Sequence, residues 1–248
     1  MILSEDAICS LIGIAIKDFC FEKLHNIYSE IPHTRCKCCG KCCKNAPRVY
    51  LIEYLQIFRG IKESFPDRFY HVIRRILEFG FLSLVNTFLS CPFLEEGKCI
   101  IYDYRSFNCR VWGHAKQEEY YSTIDLARRE LEQRKKLWNE NFSIRIPDVI
   151  VYGHKPFCED VKPLRGSMLE TDKRESLEMK LESLNNQFVK VALGTYEQGL
   201  LELPLFVCLS FIGPIRFYNS RPYIMEEYQN NKKTDFMDRL IYDSLPTH

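Results

Sequence analysis

The chain has 248 residues, 46% of them hydrophobic, which is enough to bury an ordinary core in one large domain or two small ones without disulfide staples. Its 34 basic and 33 acidic residues leave a formal charge of +1, which excludes an overall field drawing it to nucleic acid, an anionic membrane or a polyacidic partner. Twelve cysteines, in a chain that carries Glu5 and Asp6 where an export signal has its basic region, point to a reducing compartment, the cytoplasm. There, clustered thiols hold metal or perform redox chemistry more often than they form disulfides.

Ser4 is placed to cap a helix whose positive end suits Glu5 and Asp6, and Ile8, Leu11, Ile12, Ala15 and Phe19 repeat at helical spacing behind it. Cys9 and Cys20 lie in or beside that stripe and are expected to pack as small hydrophobes. Ile31-Pro32-His33 ends the pattern and leads into Cys36-Lys37-Cys38-Cys39-Gly40-Lys41-Cys42-Cys43, five cysteines in eight residues. Pro47 precedes an apolar segment, Val49 to Phe58, that fits either a strand or a helix and is closed by Gly60. Ser64-Phe65-Pro66-Asp67 resembles a helix start. Phe69, Val72, Ile73, Ile76 and Leu77 make its apolar face and Gly80 its stop, with His71, Arg74 and Arg75 on a solvated side.

Cys91 to Cys99 carries a turn at Glu96-Gly97 and a cysteine at each end, so it reads as a hairpin or loop that returns two thiols to one place. Tyr102, Tyr104, Phe107 and Cys109 follow. Ser122 to Asn141 is a charged surface helix with one buried side, and its basic cluster Arg134-Lys135-Lys136 reads as a solvated face. Pro147 to Tyr152 reads as a short strand, and Gly153 to Cys158 as a turn containing His154 and a further cysteine. Asp172 and Glu175 open a helix through Leu177, Leu181, Leu184, Phe188 and Val191. From Leu200 onward Pro204, Pro214, Pro222 and Pro246 are expected to prevent long regular elements, leaving a tail on the domain surface with Cys208 in an apolar run. Leu200 to Ile215 is interrupted by Glu202, Pro204 and Pro214 and is shorter than the roughly 20 residues of a membrane helix, so no span is predicted.

Setting aside the isolated Cys9, Cys20 and Cys208, the spacing Cys36-x2-Cys39-x2-Cys42 reproduces the three-cysteine run of small ferredoxins, in which two-residue gaps point successive thiolates at different irons of one cluster. Cys91-Pro92 is a distant counterpart of the cysteine-proline pair that ends such runs. Cys42 and Cys43 are adjacent, so their side chains point apart in extended backbone and do not easily chelate one metal together. Zinc prefers four thiolates, often from two C-x2-C knuckles, and only one end of this constellation has knuckle spacing.

The chain resembles the YkgJ-like cysteine-cluster (CxxCxxCC) family, described as a zinc- or iron-chelating domain. The opening motif falls on Cys36, Cys39, Cys42 and Cys43, and the second signature on Cys91, Cys99, Ile101-Tyr102, Arg105 and Cys109-Arg110. The resemblance covers residues 33 to 115 and extends more weakly to Cys158. Ser106 stands where the family has proline, and Cys38 is an extra thiol that leaves open whether it replaces a neighbouring ligand. The cysteine cluster is also similar to that of flagellin lysine N-methylases.

These readings predict a mainly α fold with short β-hairpins, a single domain over residues 1–248 whose core, 33–158, wraps an irregular cysteine-rich metal centre. The resemblance implies Cys36, Cys39, Cys42, Cys43, Cys91, Cys99, Cys109 and Cys158 as metal ligands, for two four-thiolate sites or for one cluster with thiols left over. Arg105 and Arg110 flank Cys109, where a cation offsets cluster charge; the competing reading is an ion pair or a cation-π contact with Tyr102, Tyr104 or Trp112. His114 and His154 are alternative ligands or supports for one. The favoured cofactor is an iron-sulfur cluster, 4Fe-4S, serving electron transfer or a cluster-dependent modification, with an unidentified redox or protein partner. Zinc in a structural or binding module is the first alternative, and a protein-modifying enzyme like the N-methylases the second. Motifs for radical-SAM, nucleotide-loop, H-E-x-x-H and G-x-S-x-G chemistry do not occur.

Overall fold

A computed structural model describes residues 4–35, 43, 46–153, 157, 161–164, 166–193 and 200–245. In chain order these form α1 (Glu5–Lys17), α2 (Cys20–Ser29), β1 (Thr34–Arg35), β2 (Arg48–Val49), α3 (Leu51–Ser64), α4 (Phe69–Leu82), β3 (Leu94–Glu95) and β4 (Lys98–Cys99). There follow α5 (Phe107–Val111), α6 (Gln117–Phe142), α7 (Asp148–Tyr152), β5 (Lys162–Pro163), α8 (Thr171–Leu193), β6 (Leu201–Glu202), α9 (Leu203–Phe211), α10 (Pro214–Asn231) and α11 (Asp235–Tyr242). The strands make three antiparallel pairs, β1–β5, β2–β6 and β3–β4. The fold is mainly α, as expected, and one buried cluster runs through it from Ile8 to Ile241. Among the described residues no helix is long and apolar enough to cross a membrane.

The first helix forms as the pattern predicts: Ser4 Oγ accepts from the Ala7 N–H at 3.3 Å, and Ile8, Leu11 and Ala15 are buried. Phe19, expected in that stripe, instead takes a left-handed φ of 55°, which ends α1, starts α2 and leaves its ring exposed. Cys9 lies one residue, and so about 100° of helix, from Ile8. It is exposed, with Sγ 3.8 Å from Lys62 Nζ, which corrects the expectation that it packs inside. Cys20 and Cys208 are buried as expected.

Gly60, read as closing the apolar segment after Pro47, and Gly80, read as a helix stop, both lie inside helices, and each makes room for a neighbour. A Cβ on Gly60, in α3, would stand 2.6 Å from Tyr104 Cγ, and one on Gly80, in α4, 2.4 Å from Cys208 Sγ. The missing side chains let α3 carry the Tyr104 ring and α4 lie close to α9. The second contact matters for the centre of the molecule, because α9 buries Leu203, Phe206, Val207 and Cys208, and Phe206 stacks on Tyr54 at 5.0 Å between centroids. The C-terminal stretch is therefore part of the core and not a surface tail.

The prolines do not break it up, because Pro204 and Pro214 fall in the first turns of α9 and α10, where the missing N–H has no helical partner to lose. Only Pro222 sits inside α10. The predicted strand Pro147 to Tyr152 is α7: its β-branched residues favour a strand, but Pro147 followed by Asp148 is a helix start, and Asp148 pairs with Lys135 of α6. The apolar segment after Pro47 is strand and helix in turn, β2 and then α3.

Candidate metal centre

The hairpin Cys91–Cys99 forms as predicted. Leu94 pairs with Cys99 and Glu95 with Lys98, and the turn residues Glu96 and Gly97 both have positive φ, 48° and 79°, as the tightest hairpin turn requires. Cys91 is buried at the start of the hairpin and Cys99 half-buried at its end. Helix α4 fixes its position: Arg75 bonds the Glu95 carboxylate and donates to the Leu94 carbonyl at 2.9 Å, while Arg68 donates to Glu95 at 2.8 Å. Arg75 is thus an anchor and not one of a solvated row. At the other side the Cys91 N–H donates to the Cys43 carbonyl at 2.8 Å. That bond joins the last cysteine of the first motif to the first cysteine of the second.

The segment leading to Cys109 is held from three directions. Tyr104 lies on Gly60 with its hydroxyl 3.2 Å from Ser64 Oγ, and Arg105 folds back with its guanidinium 3.5 Å from the Tyr102 ring centroid and Nε donating to the Tyr102 carbonyl. Arg110 donates to the carbonyls of Arg105 at 2.8 Å and Asp103 at 2.5 Å, and lies 4.4 Å from the Tyr28 ring centroid. Ser106 has φ −63°, the angle proline adopts, and its buried Oγ has no hydrogen-bond partner. The backbone is one that proline would fit without loss.

Glu53, which the sequence reading did not single out, joins these parts. It is buried in α3, and its carboxylate accepts from the Tyr28 hydroxyl at 2.5 Å, the Phe107 N–H at 2.6 Å and the Tyr50 N–H at 2.9 Å. Two of these bonds cap helices, α3 at its own start and α5 from outside, since Ser106 supplies no side-chain cap. Burial pushes the Glu53 pKa up, against the lowering effect of its three donors and of Arg110. Burial, and then the Glu53 charge, raise the Tyr28 pKa well above the usual phenol value. Burial also lowers that of Arg110. A signal was present in the sequence: Glu53 is the lone carboxylate in the apolar run Val49 to Phe58, three residues after Tyr50, where a helix start has its capping acid.

His114 is buried, and its Nδ1 accepts from the Leu169 N–H at 3.0 Å. Burial lowers its pKa; because Nδ1 accepts, the proton of the neutral ring lies on Nε2, which is buried without a hydrogen-bond partner among the described residues. A metal at Nε2 would require that proton to move to Nδ1, facing the Leu169 N–H.

Cys36, Cys38, Cys39, Cys42, Cys158 and His154 lie outside the described residues. Their described neighbours are paired: Arg35, next to Cys36, is opposite Lys162, four residues after Cys158, in the β1–β5 ladder. Of the described candidates, Cys43 and Cys91 are joined by a backbone bond and Cys99 pairs with Leu94 in the hairpin that Cys91 opens, while Cys109 stands on α5 near Tyr28. Among the described residues no group of three or more histidine, cysteine or acidic side chains is placed to hold a metal ion. The soft thiol donors suit iron or zinc.

The family model CxxCxxCC, with the description "Putative zinc- or iron-chelating domain", matches residues 35–127, which is less than half of the chain and agrees with the resemblance read from the motifs. Metal binding is thereby supported for this segment. No curated protein and no solved structure matches the chain.

Proposed function

We propose, on the premise that residues 35–127 are a metal-chelating CxxCxxCC segment, that Cys36, Cys39, Cys42, Cys43, Cys91, Cys99 and Cys109, with Cys158, supply the thiolates of an iron-sulfur centre, either two 4Fe-4S clusters or one with thiols left over. The observation that carries this reading is the Cys91–Cys43 backbone bond, which joins the two motifs into one neighbourhood. The β1–β5 pair supports counting Cys158 with them, because it holds the chain next to Cys36 beside the chain that follows Cys158.

Iron is favoured over zinc by the C-x2-C-x2-C spacing and by the size of the core. A structural zinc is typical of domains too small to bury enough apolar surface, where the metal supplies on the order of 10 kcal/mol of folding energy. Here buried residues reach from α1 to α11, and the fold has no such need.

Bound, the cluster supplies one-electron transfer. The chain's own part is to direct the thiols and to set the charge around them. Arg110, half-buried beside Cys109 and fixed by two carbonyls, offsets the negative charge of thiolate ligands and raises the potential. Arg105 supports it by presenting one of those carbonyls. The protein then serves electron transfer or a cluster-dependent modification in a reducing compartment, the cytoplasm, with a redox or protein partner.

Single Cys39→Ser and Cys91→Ser variants, purified without oxygen, test whether the two motifs share one centre. Each is expected to lose bound iron and sulfide together. Full iron in Cys91→Ser with none in Cys39→Ser would confine the centre to the first motif.

A further inference from the structure

Glu53 is a carboxylate withdrawn from water at the point where α2, α3 and the start of α5 meet, and all three of its contacts are donors. Helix α5 has five residues, too few to hold its own geometry, and no side-chain cap of its own. Its first N–H, that of Phe107, is satisfied by Glu53, and a negative charge at that end favours the helix dipole. Cys109 follows two residues later, and Tyr28, which donates to Glu53, is also the ring under Arg110. The buried Phe107 ring seats α5 in the core, and the Glu53 bond to the Phe107 N–H fixes its first turn.

We infer that Glu53, with Tyr28, is the positioning residue for Cys109, aiming its thiol at the metal that the other cysteines hold. This rests on the metal-centre reading but is indifferent to whether the metal is iron or zinc. Glu53→Gln keeps the volume and removes both the charge and one acceptor, so that an amide NH2 faces either the Tyr50 N–H or the donors Tyr28 and Phe107. A support of this kind that fixes a ligand's direction is worth about 10- to 100-fold in metal affinity when removed.

The test is a titration of the full-length, metal-free chain with cobalt(II), whose thiolate charge-transfer absorption reports bound sulfur, in wild type, Glu53→Gln, Cys109→Ser and the double variant. Glu53→Gln is expected to weaken cobalt binding at least about tenfold and to reduce the charge-transfer intensity by the share Cys109→Ser removes. In the Cys109→Ser background it should then cost almost nothing further, because the two changes act on one ligand. Equal loss in both backgrounds makes Glu53 merely structural and overturns the inference, as does unchanged affinity. If Glu53→Gln does not fold, Tyr28→Phe decides in the same cycle, with a smaller loss in wild type and none in Cys109→Ser. A wild-type chain giving no thiolate absorption overturns the metal-centre reading itself, and this inference with it, whereas wild-type binding with an indifferent Glu53→Gln overturns this inference alone.

Discussion

Gly80 of α4 lies against Cys208 of α9, and the energetics of the two can be separated. Gly80→Ala gains up to about 1 kcal/mol of helix propensity but drives a Cβ to 2.4 Å from Cys208 Sγ, an overpacking worth about 1–3 kcal/mol. The variant is expected to be less stable than wild type in urea unfolding, and the same change in a Cys208→Ala background to be more stable. The thiols should also differ in reactivity. Burial pushes Cys208 up to about 12 and raises Cys20, while Cys9 is exposed. Of these three, Cys9 alone should be alkylated in the native chain at pH 8; rapid labelling of Cys208 would mean that α9 does not pack as described. At this scale the sequence was misleading where a residue's reason lies on another element. Gly60 and Gly80 look like stops until Tyr104 and Cys208 are seen on top of them. Glu53 looks like any polar residue until Phe107 and Tyr28 are brought to it.

Helix α4 acts as the platform for the second cysteine pair, since Arg75 and Arg68 hold the hairpin through Glu95. Arg75→Ala is expected to speed amide exchange through Leu94 to Cys99 with little change in overall stability; unchanged exchange would show that the Cys43–Cys91 bond suffices alone. A second joint, α2 on α8, is ionic: Glu30 takes Lys173 and Lys180, and those bonds, Lys173 first, hold its pKa below the usual 4.5. Because the folded value is the lower one, the contribution is complete above pH 4.5 and is lost as pH falls through the folded value. Protection at the start of α8, taken relative to the intrinsic exchange rate at each pH, should fall on acidification below about 4.5 in wild type, and that step should be missing in Glu30→Gln. The elements themselves were largely legible, because α1, α4, α6 and α8 have long stripes and the Glu96-Gly97 turn has its own chemistry. α7 was not, since five residues show no period and Val149, Ile150 and Val151 favour a strand by type.

The whole molecule is a helical core that stands on apolar burial, with the proposed thiol site drawn from segments distant along the chain. The core accounts for the fold: Tyr54, Phe58, Phe81, Phe93 and Phe217 are each fully buried, and each such side chain contributes about 1.5–3 kcal/mol. Removing metal with a chelator is therefore expected to leave the far-ultraviolet helical signal intact and to disturb only residues around Cys43, Cys91 to Cys99 and Cys109. Global unfolding would point instead to a metal-dependent fold of the zinc-finger kind. What the sequence could not supply was the convergence of these segments, because the Cys91–Cys43 bond and the β1–β5 pair link residues far apart along the chain, and no local pattern records them.

An iron-sulfur centre shared by both cysteine motifs would show in the iron, acid-labile sulfide and zinc content of protein purified without oxygen, together with its visible spectrum. The expected result is brown protein with iron and sulfide in near-equal amounts and a broad thiolate-to-iron absorption. Colourless protein with stoichiometric zinc and no sulfide would contradict it.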